Sequence, residues 1–229
     1  MATILNIETS TDVCSVALTA DGGVLVHHEN YDGRSHATLL SGQIESAMKY
    51  VASRQLKLDA VAVSIGPGSY TGLRIGLSEA KGLCMGTGAP LIGVPTLELL
   101  TVSVMFSHFF DDDVLFAPMI DARRMEVYTA VYGLSLDEVM PARAMIIDGG
   151  SFGEYLSKGK VVFFGNGSDK AAGVISHPNA EFISGVKPVA LDMMALSERA
   201  FRRGDFLDLA YSVPLYLKDF QATVPKKLI

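Results

Sequence analysis

The chain has 229 residues, 49% of them hydrophobic, and carries a formal net charge of −6 at pH 7. This length accommodates one large domain or two small ones, and the hydrophobic fraction is ample for a buried core. The negative net charge excludes a surface built as a whole to hold nucleic acid, although a local basic patch remains compatible with it.

The sequence shows no signal for export or membrane insertion. Residues 1–4 lead directly into a strand pattern without the basic segment of a signal peptide. The apolar runs, such as residues 161–164, are too short to span a membrane. The two cysteines, Cys14 and Cys84, have no metal-ligand spacing and are expected to be buried thiols. We therefore expect a cytoplasmic protein without membrane contact.

The first half of the sequence alternates between helix and strand patterns after an opening meander of three strands. Apolar residues on one helical face, including Leu40, Ile44 and Val51, predict the first helix. The predicted elements are, in order, strands at 4–8, 14–19 and 24–29, a helix at 37–52, a strand at 61–65, a helix at 71–86, a strand at 91–94 and a helix at 96–106. This order predicts an α/β domain with a mixed sheet.

An acidic run at residues 111–113 indicates a domain boundary, and strands followed by a helix return after it. The predicted elements are strands at 114–121, 126–132 and 161–164 and a helix at 191–203. We therefore predict two subdomains, 1–110 and 111–229. The final residues, about 15 of them, are candidates to return to the first subdomain.

A glycine-rich turn at residues 66–72 joins a predicted strand to a helix. It does not fit a P-loop, because Leu73 and Arg74 follow its last glycine instead of Lys and then Ser or Thr. It does not fit the dinucleotide fingerprint either, because its third glycine comes one residue late. Two explanations stay open: a phosphate bound on the turn, or a closely packed helix capped by Ser69 or Thr71.

A second polar turn, at residues 8–12, follows the first predicted strand. A hydroxyl-rich loop in this position fits either a plain turn or a loop that wraps a phosphate. The two turns together supply the candidate cofactor-binding residues, which are Thr9, Ser10, Gly68 and Ser69.

The helix after the glycine-rich turn carries small residues at every fourth position, namely Gly72, Gly76 and Ala80. Each glycine inside a helix costs about 1 kcal/mol relative to alanine, so a series of them indicates close approach of another backbone. We predict that this face, with Leu73 and Leu77 beside it, contacts a second copy of the chain or a paralogue. A bulky residue at Gly76 is then expected to block association and leave the monomer folded.

The densest charge cluster is formed by Asp121, Arg123, Arg124 and Glu126, at a predicted connection between two strands. It fits either a solvated hairpin with ion pairs of little energy or a surface that recognises a partner or an anion. If Asp121 pairs with Arg123, Arg124 is expected to reach outward.

The histidines argue against a metal enzyme. His27 and His28 are adjacent in a predicted strand and therefore face opposite sides. His36 has Leu40 four residues later, so it forms no helical ligand pair. No G-x-S-x-G nucleophile motif occurs either. We expect no metal site and no catalytic residue of these kinds.

Several segments together carry a family resemblance: residues 7–10, 66–76, 80–82, 93–98, 120–128 and 165–167. In this order they resemble the TsaB (YeaZ) family, the bacterial glycoprotease-like proteins of tRNA threonylcarbamoyladenosine biosynthesis. The specific part is GPGSYTGLRIG at residues 66–76 followed by DAR at residues 121–123. The resemblance runs through nearly the whole chain.

The resemblance implies an α/β actin-like ATPase (ASKHA) fold of two subdomains, each a mixed sheet flanked by helices. It also implies an essential, non-catalytic subunit that acts as partner and scaffold for the catalytic paralogue TsaD, together with the ATPase TsaE. The complex forms N6-threonylcarbamoyladenosine in tRNA, which this chain would reach only indirectly. A homodimer in isolation is implied, as is the lack of an intrinsic cofactor, with room for a nucleotide at the TsaD interface.

The residues are consistent with a non-catalytic member of such a family. Catalytic relatives hold a metal with two histidines four apart in a helix, and the corresponding residues 94–100 contain no histidine. One alternative is a small-molecule kinase of the actin-like superfamily, with Asp121 as base and Thr9 and Ser10 in a phosphate loop. Another is a metallopeptidase, for which the ligands are missing.

Overall fold

The computed structural model describes residues 2–33 and 35–218 and contains two five-stranded sheets. The first half of the chain comprises β1 (Thr3–Glu8), β2 (Cys14–Ala20), β3 (Gly23–Asn30), α1 (His36–Ser53), β4 (Ala60–Gly66), α2 (Tyr70–Thr87), β5 (Leu91–Pro95) and α3 (Thr96–Ser107). The strand order is β3-β2-β1-β4-β5, with β1 antiparallel to β2 and parallel to β4. The mixed sheet predicted from the sequence is confirmed.

The second sheet repeats the topology of the first. The elements are β6 (Leu115–Asp121), β7 (Glu126–Tyr132), β8 (Glu138–Ile146), α4 (Gly153–Leu156), β9 (Val161–Phe164), α5 (Ser168–Ala172), β10 (Ala180–Ile183), a 3-10 turn (Ala190–Met193) and α6 (Met194–Arg203). The order β8-β7-β6-β9-β10 again combines an antiparallel meander with two parallel strands. We call the two sheets and the helices on them the first and second lobes.

Helix α3 packs between the two sheets. Leu99 and Val102 join the core on the first sheet, whereas Leu97, Leu100 and Val104 join the core on the second. A helix that buries both sides must be apolar around its circumference, and the sequence of α3 has this character. The shared helix places the carboxyl ends of β1 and β4 opposite the β6–β7 hairpin.

The chain returns to the first lobe well before its last residues. Met193 and Leu196 pack on the first sheet, the Leu207 amide donates to Leu91 O at 2.8 Å, and the Leu215 amide donates to Ile65 O at 2.7 Å. The return therefore begins near Ala190, earlier than the sequence indicated, and residues 219–229 lie outside the described part. The boundary between residues 110 and 111 stays a prediction.

None of the helices in the described ranges is long and apolar enough to cross a membrane.

Candidate functional site

A cleft of about 550 Å³ lies between the two lobes. One side is formed by the turn after β1 and by the glycine-rich turn before α2, and the other by the β6–β7 hairpin and Asn166. Residues 215–218 form a further wall. The fold therefore gathers both turns singled out in the sequence, together with Asp121 and Arg123 of the charge cluster, around one space.

Two buried polar side chains lie beneath the cleft. Glu8, at the end of β1, is fully buried, and one of its carboxylate oxygens accepts a hydrogen bond from the Ser10 amide. Its other oxygen and the Ser10 hydroxyl, which are near each other, make no hydrogen bond of normal geometry. Burial raises the pKa of Glu8 to about 7, against the opposing effect of hydrogen bonds from Ser10, Ser64 and Thr9. A carboxyl group two residues before the cleft-lining Ser10 is thus partly protonated at neutral pH.

We predict that Glu8→Gln removes a loss of stability that the parent undergoes as the pH rises from about 4.5 to 7. Because the folded-state pKa of Glu8 is raised from 4.5 to about 7, its protonated form contributes stability that is complete below pH ~4.5 and is lost as the pH rises to 7. Glutamine mimics the neutral acid, so the variant should be more stable than the parent by about 3 kcal/mol at pH 8 and by much less at pH 5. Urea unfolding at both pH values measures this difference, with the exposed Glu154→Gln as control. The same pH profile in parent and Glu8→Gln would contradict the prediction.

The glycine-rich turn is packed against the turn after β1. The Ser69 amide donates to Ser10 O at 2.6 Å, and the Ser69 hydroxyl caps α2 by accepting from the Gly72 amide at 3.2 Å. A Cβ at Gly68 would lie 2.3 Å from Ser10 O, so only glycine fits there. The predicted Ser69 cap and close packing are confirmed, and phosphate binding on this turn stays a prediction.

Of the four candidate cofactor residues, three line the cleft: Ser10, Gly68 and Ser69. Thr9 is not among the residues lining it, because its hydroxyl donates to Gly72 O at 2.9 Å inside the protein. In this conformation Thr9 makes no direct contact with the cleft, and its assignment as a cofactor residue stays a prediction.

The prediction that Gly72 and Gly76 form an intermolecular face is wrong. A Cβ at Gly72 would lie 2.1 Å from Thr9 O, and one at Gly76 would lie 2.2 Å from Thr9 Oγ1. The neighbouring residues predicted for the same face, Leu73, Leu77 and Ala80, are buried in the chain as well. The backbone whose approach these glycines permit is that of the chain's own β1–β2 turn. A bulky residue at Gly76 would disrupt the fold rather than only association.

The exposed side of α2 forms a different surface, a groove of about 700 Å³ beside α1. Its lining residues are Ala37, Ile44, Tyr70, Thr71, Arg74, Ile75, Ser78, Glu79, Gly82 and Leu83. The Ser41 hydroxyl donates to Glu79 Oε1 at 2.7 Å and joins the two helices. A Cβ at Gly82 would have no atom within 4 Å, so nothing within the described chain requires glycine there. We call this surface the α1–α2 groove; the spacing of Ser78 and Gly82 was the sequence signal for it.

The charge cluster surrounds the tip of the β6–β7 hairpin, but its pairing differs from the prediction. The Asp121 carboxylate pairs with Lys170 and accepts from the Arg123 amide, whereas Glu126 pairs with Lys218. The Arg123 side chain lines the cleft, and the expected Asp121–Arg123 side-chain pair is not formed. Arg123 and Arg124 have φ of 71° and 50°. Non-glycine residues are held in this region at a conformational cost, which is often found at functional sites.

The two cysteines are free and buried. Burial raises the pKa of both the Cys14 and the Cys84 thiol to about 11, so neither is a thiolate at neutral pH. Their expected role as packed thiols is consistent with this geometry.

Comparison with known proteins gives the family. Residues 22–141, more than half of the chain, match the family described as "TsaD: tRNA N6-adenosine threonylcarbamoyltransferase". The chain belongs to the TsaD family. It lies in the TsaB (YeaZ) branch, because its similar full-length relatives carry that name.

Among TsaB proteins, that of Escherichia coli (strain K12) is 29% identical over 230 residues, covering 94% of each chain. That of Bacillus subtilis (strain 168) is 34% identical over 149 residues, covering 63% of this chain and 62% of its own. Both are described as tRNA threonylcarbamoyladenosine biosynthesis proteins. The solved structure of YeaZ from Pseudomonas aeruginosa superposes with a TM-score of 0.79 at 25% identity, covering 95% of this chain and 100% of that one. The actin-like α/β fold implied by the resemblance is confirmed.

The resemblance implies that catalytic relatives hold a metal with two histidines, and the described residues offer no matching ligand set. The segment where they carry two histidines spans the end of β5 and the start of α3, and here Glu98 pairs with Arg199 at 3.0 Å. Within residues 2–33 and 35–218, no group of three or more His, Cys, Asp or Glu side chains is placed to hold a metal. The residues present in these ranges therefore do not fit that metal.

Proposed function

We propose that this chain is a non-catalytic subunit of the cytoplasmic complex that forms N6-threonylcarbamoyladenosine in tRNA. It acts as partner and scaffold for the catalytic paralogue TsaD, together with TsaE, and reaches tRNA through the complex. The observation that carries the proposal is the α1–α2 groove, an apolar surface with an exposed helix glycine that has no role inside the described chain. The role in tRNA threonylcarbamoyladenosine biosynthesis named for its TsaB relatives supports a partner that carries out this modification.

The groove has the properties of a site for another helix. Ile44, Ile75 and Leu83 supply apolar area, and Gly82 allows a second backbone to approach α2 closely. An exposed glycine inside a helix costs about 1 kcal/mol relative to alanine, and close approach of another chain at Gly82 would offset that cost. TsaD belongs to the same family and offers related helices. We therefore propose that TsaD and a second copy of this chain compete for the groove, so that the isolated chain would form a homodimer.

The cleft supports a second, finer part of the proposal. Arg123 lines it, and Arg124 lies at the same exposed hairpin tip in an otherwise acidic protein. An arginine pair held by an unusual backbone conformation suits an anionic partner, either carboxylates of a protein or phosphates of a nucleotide held between this chain and TsaD. This chain needs no cofactor of its own for the proposed role.

We predict that Arg123→Ala/Arg124→Ala leaves thermal stability unchanged and lowers formation of the modified nucleoside. Both residues are exposed, and exposed charges contribute little to stability. A several-fold loss of product in a reconstituted assay, with a weaker salt dependence, is expected from the loss of two contacts to an anion. The control is Arg202→Ala/Arg203→Ala, a change of two arginines at the end of α6. If the Arg123→Ala/Arg124→Ala variant kept full activity and the salt dependence of the parent, the hairpin would have only a structural role.

The alternative of an actin-like small-molecule kinase is favoured by one observation, the polar cleft between the lobes. Its proposed base, Asp121, is however already paired with Lys170. Purified chain, incubated with magnesium and ATP and a panel of sugars and carboxylates, should show no turnover above background. Calorimetric titration of the same preparation with TsaD should show stoichiometric binding. Robust phosphoryl transfer without TsaD binding would support the kinase and overturn the proposed function.

A further inference from the structure

The last described part of the chain crosses from one lobe to the other. Residues 207–218, which we call the strap, begin at the edge of the first sheet, where Leu207 pairs with Leu91. The strap continues along α2, where the Lys81 ammonium donates to Ser212 O at 2.8 Å. The Leu215 amide then donates to Ile65 O beside the glycine-rich turn. The strap is thus fixed to the first lobe at three successive points.

Next to the third point, the strap makes an aromatic contact with α2. The Tyr216 ring packs on the Tyr70 ring with 5.1 Å between centroids. On the same helix, the Arg74 guanidinium lies 4.9 Å from the Tyr70 centroid and donates to the Tyr70 hydroxyl at 2.8 Å. Tyr70 lines both the cleft and the α1–α2 groove. This one side chain is therefore part of both surfaces and of the strap's attachment.

The far end of the strap reaches the second lobe. The Lys218 ammonium pairs with the carboxylate of Glu126, which begins β7 next to the tip of the β6–β7 hairpin. The hairpin is also fixed on its own lobe, because Lys170 donates to Glu126 O at 2.6 Å and to Arg124 O at 2.8 Å. A movement of the hairpin relative to the glycine-rich turn must therefore stretch the strap or break the Lys218–Glu126 pair.

We propose that the strap is a latch that holds the two lobes at a fixed separation, and that Tyr70 is the side chain through which a protein docked in the α1–α2 groove acts on it. The latch joins the lobes by a tilted pair of tyrosine rings on one side of the cleft and an ion pair on the other. A protein that contacts Tyr70 from the groove repositions the ring on which Tyr216 packs. This movement changes the separation of the two lobes across the cleft. The part of the inference that involves a docked protein rests on the proposed function.

Double electron–electron resonance on the isolated chain tests the latch. Spin labels on Lys49→Cys in α1 and Glu154→Cys in α4 report the distance between lobes, and the native cysteines are buried from the reagent. We expect one narrow distance distribution for the parent, and a distribution at least about twofold wider for Tyr216→Ala and for Lys218→Ala. Tyr211→Ala is the matched control, because Tyr211 is 84% exposed in the same strap. Both substituted side chains are exposed, so the variants should fold.

The outcomes separate the latch from the proposed function. Parent-like distributions for both Tyr216→Ala and Lys218→Ala, or equal widening by Tyr211→Ala, would overturn the latch whatever TsaD does. Adding TsaD should shift the distance distribution between the lobes in the parent. The shift should be smaller in Tyr216→Ala. Calorimetrically confirmed binding with no shift in the parent would overturn the role of Tyr70. If TsaD did not bind, the proposed function and the role of Tyr70 in docking would both be refuted. The latch itself would still be decided by the distance distributions of the isolated chain and its variants.

Discussion

Gly72→Ala should destabilise the protein by about 3 kcal/mol, at the upper end of the usual effect of overpacking a core. The added methyl group would lie 2.1 Å from the Thr9 carbonyl oxygen, a backbone atom that cannot rotate away. Relief requires the β1–β2 turn to move, and the Ser10–Ser69 hydrogen bond and the buried Glu8 are fixed by that turn. The midpoint of urea unfolding, followed by circular dichroism, measures the loss.

Gly82→Ala, in the same helix, is the matched control. A methyl group at Gly82 meets no atom within 4 Å, so the substitution gains helix propensity without a clash. It should stabilise the chain by up to about 1 kcal/mol. If both variants changed stability in the same direction and by similar amounts, the packing of α2 against the β1–β2 turn would not explain the buried glycines.

Gly82→Trp should abolish association with TsaD and leave the fold intact. The indole would occupy the α1–α2 groove from an exposed position, so it blocks a partner without entering the core. We expect a loss of at least about 100-fold in affinity, which corresponds to about 2.8 kcal/mol, and a parallel loss of nucleoside formation. Calorimetry with TsaD and the unfolding temperature of the variant provide the two readouts.

Gly86→Trp controls for the presence of a large aromatic side chain on α2. Gly86 is exposed with no neighbour within 4 Å, as Gly82 is, but it does not line the groove. This variant should bind TsaD within a few fold of the parent. If both variants lost binding equally, the contact would lie elsewhere on α2. If neither variant lost binding, the groove would not be the site at which TsaD binds.

The helix periodicity and the succession of strands and helices along the first lobe could be predicted from the sequence because they depend on local patterns. The direction in which α2 faces could not, because the helix has small residues on two sides. Gly72 and Gly76 meet Thr9, about sixty residues earlier in the chain, whereas Gly82 meets nothing within the described chain. A residue pattern shows that something approaches closely, and only the fold shows which segment it is.

Other elements escaped prediction for identifiable physical reasons. Strand β8 is an edge strand with irregular register and contains Pro141, so its pattern is weak. The hairpin tip places Arg123 and Arg124 at positive φ, against the preference of both residues. Glu8 was overlooked as a site residue, although a charged residue ending an otherwise apolar strand was a visible signal.

Reconstitution of the modification reaction tests the central claim most directly. Purified TsaD, TsaE and this chain would be combined with ATP, unmodified tRNA and a source of threonylcarbamoyl-adenylate, and each protein omitted in turn. We predict that N6-threonylcarbamoyladenosine forms when this chain and TsaD are both present, and that this chain without TsaD yields none. Product formed by this chain without TsaD, or an undiminished yield from TsaD and TsaE without this chain, would contradict the claim that it is a required non-catalytic subunit.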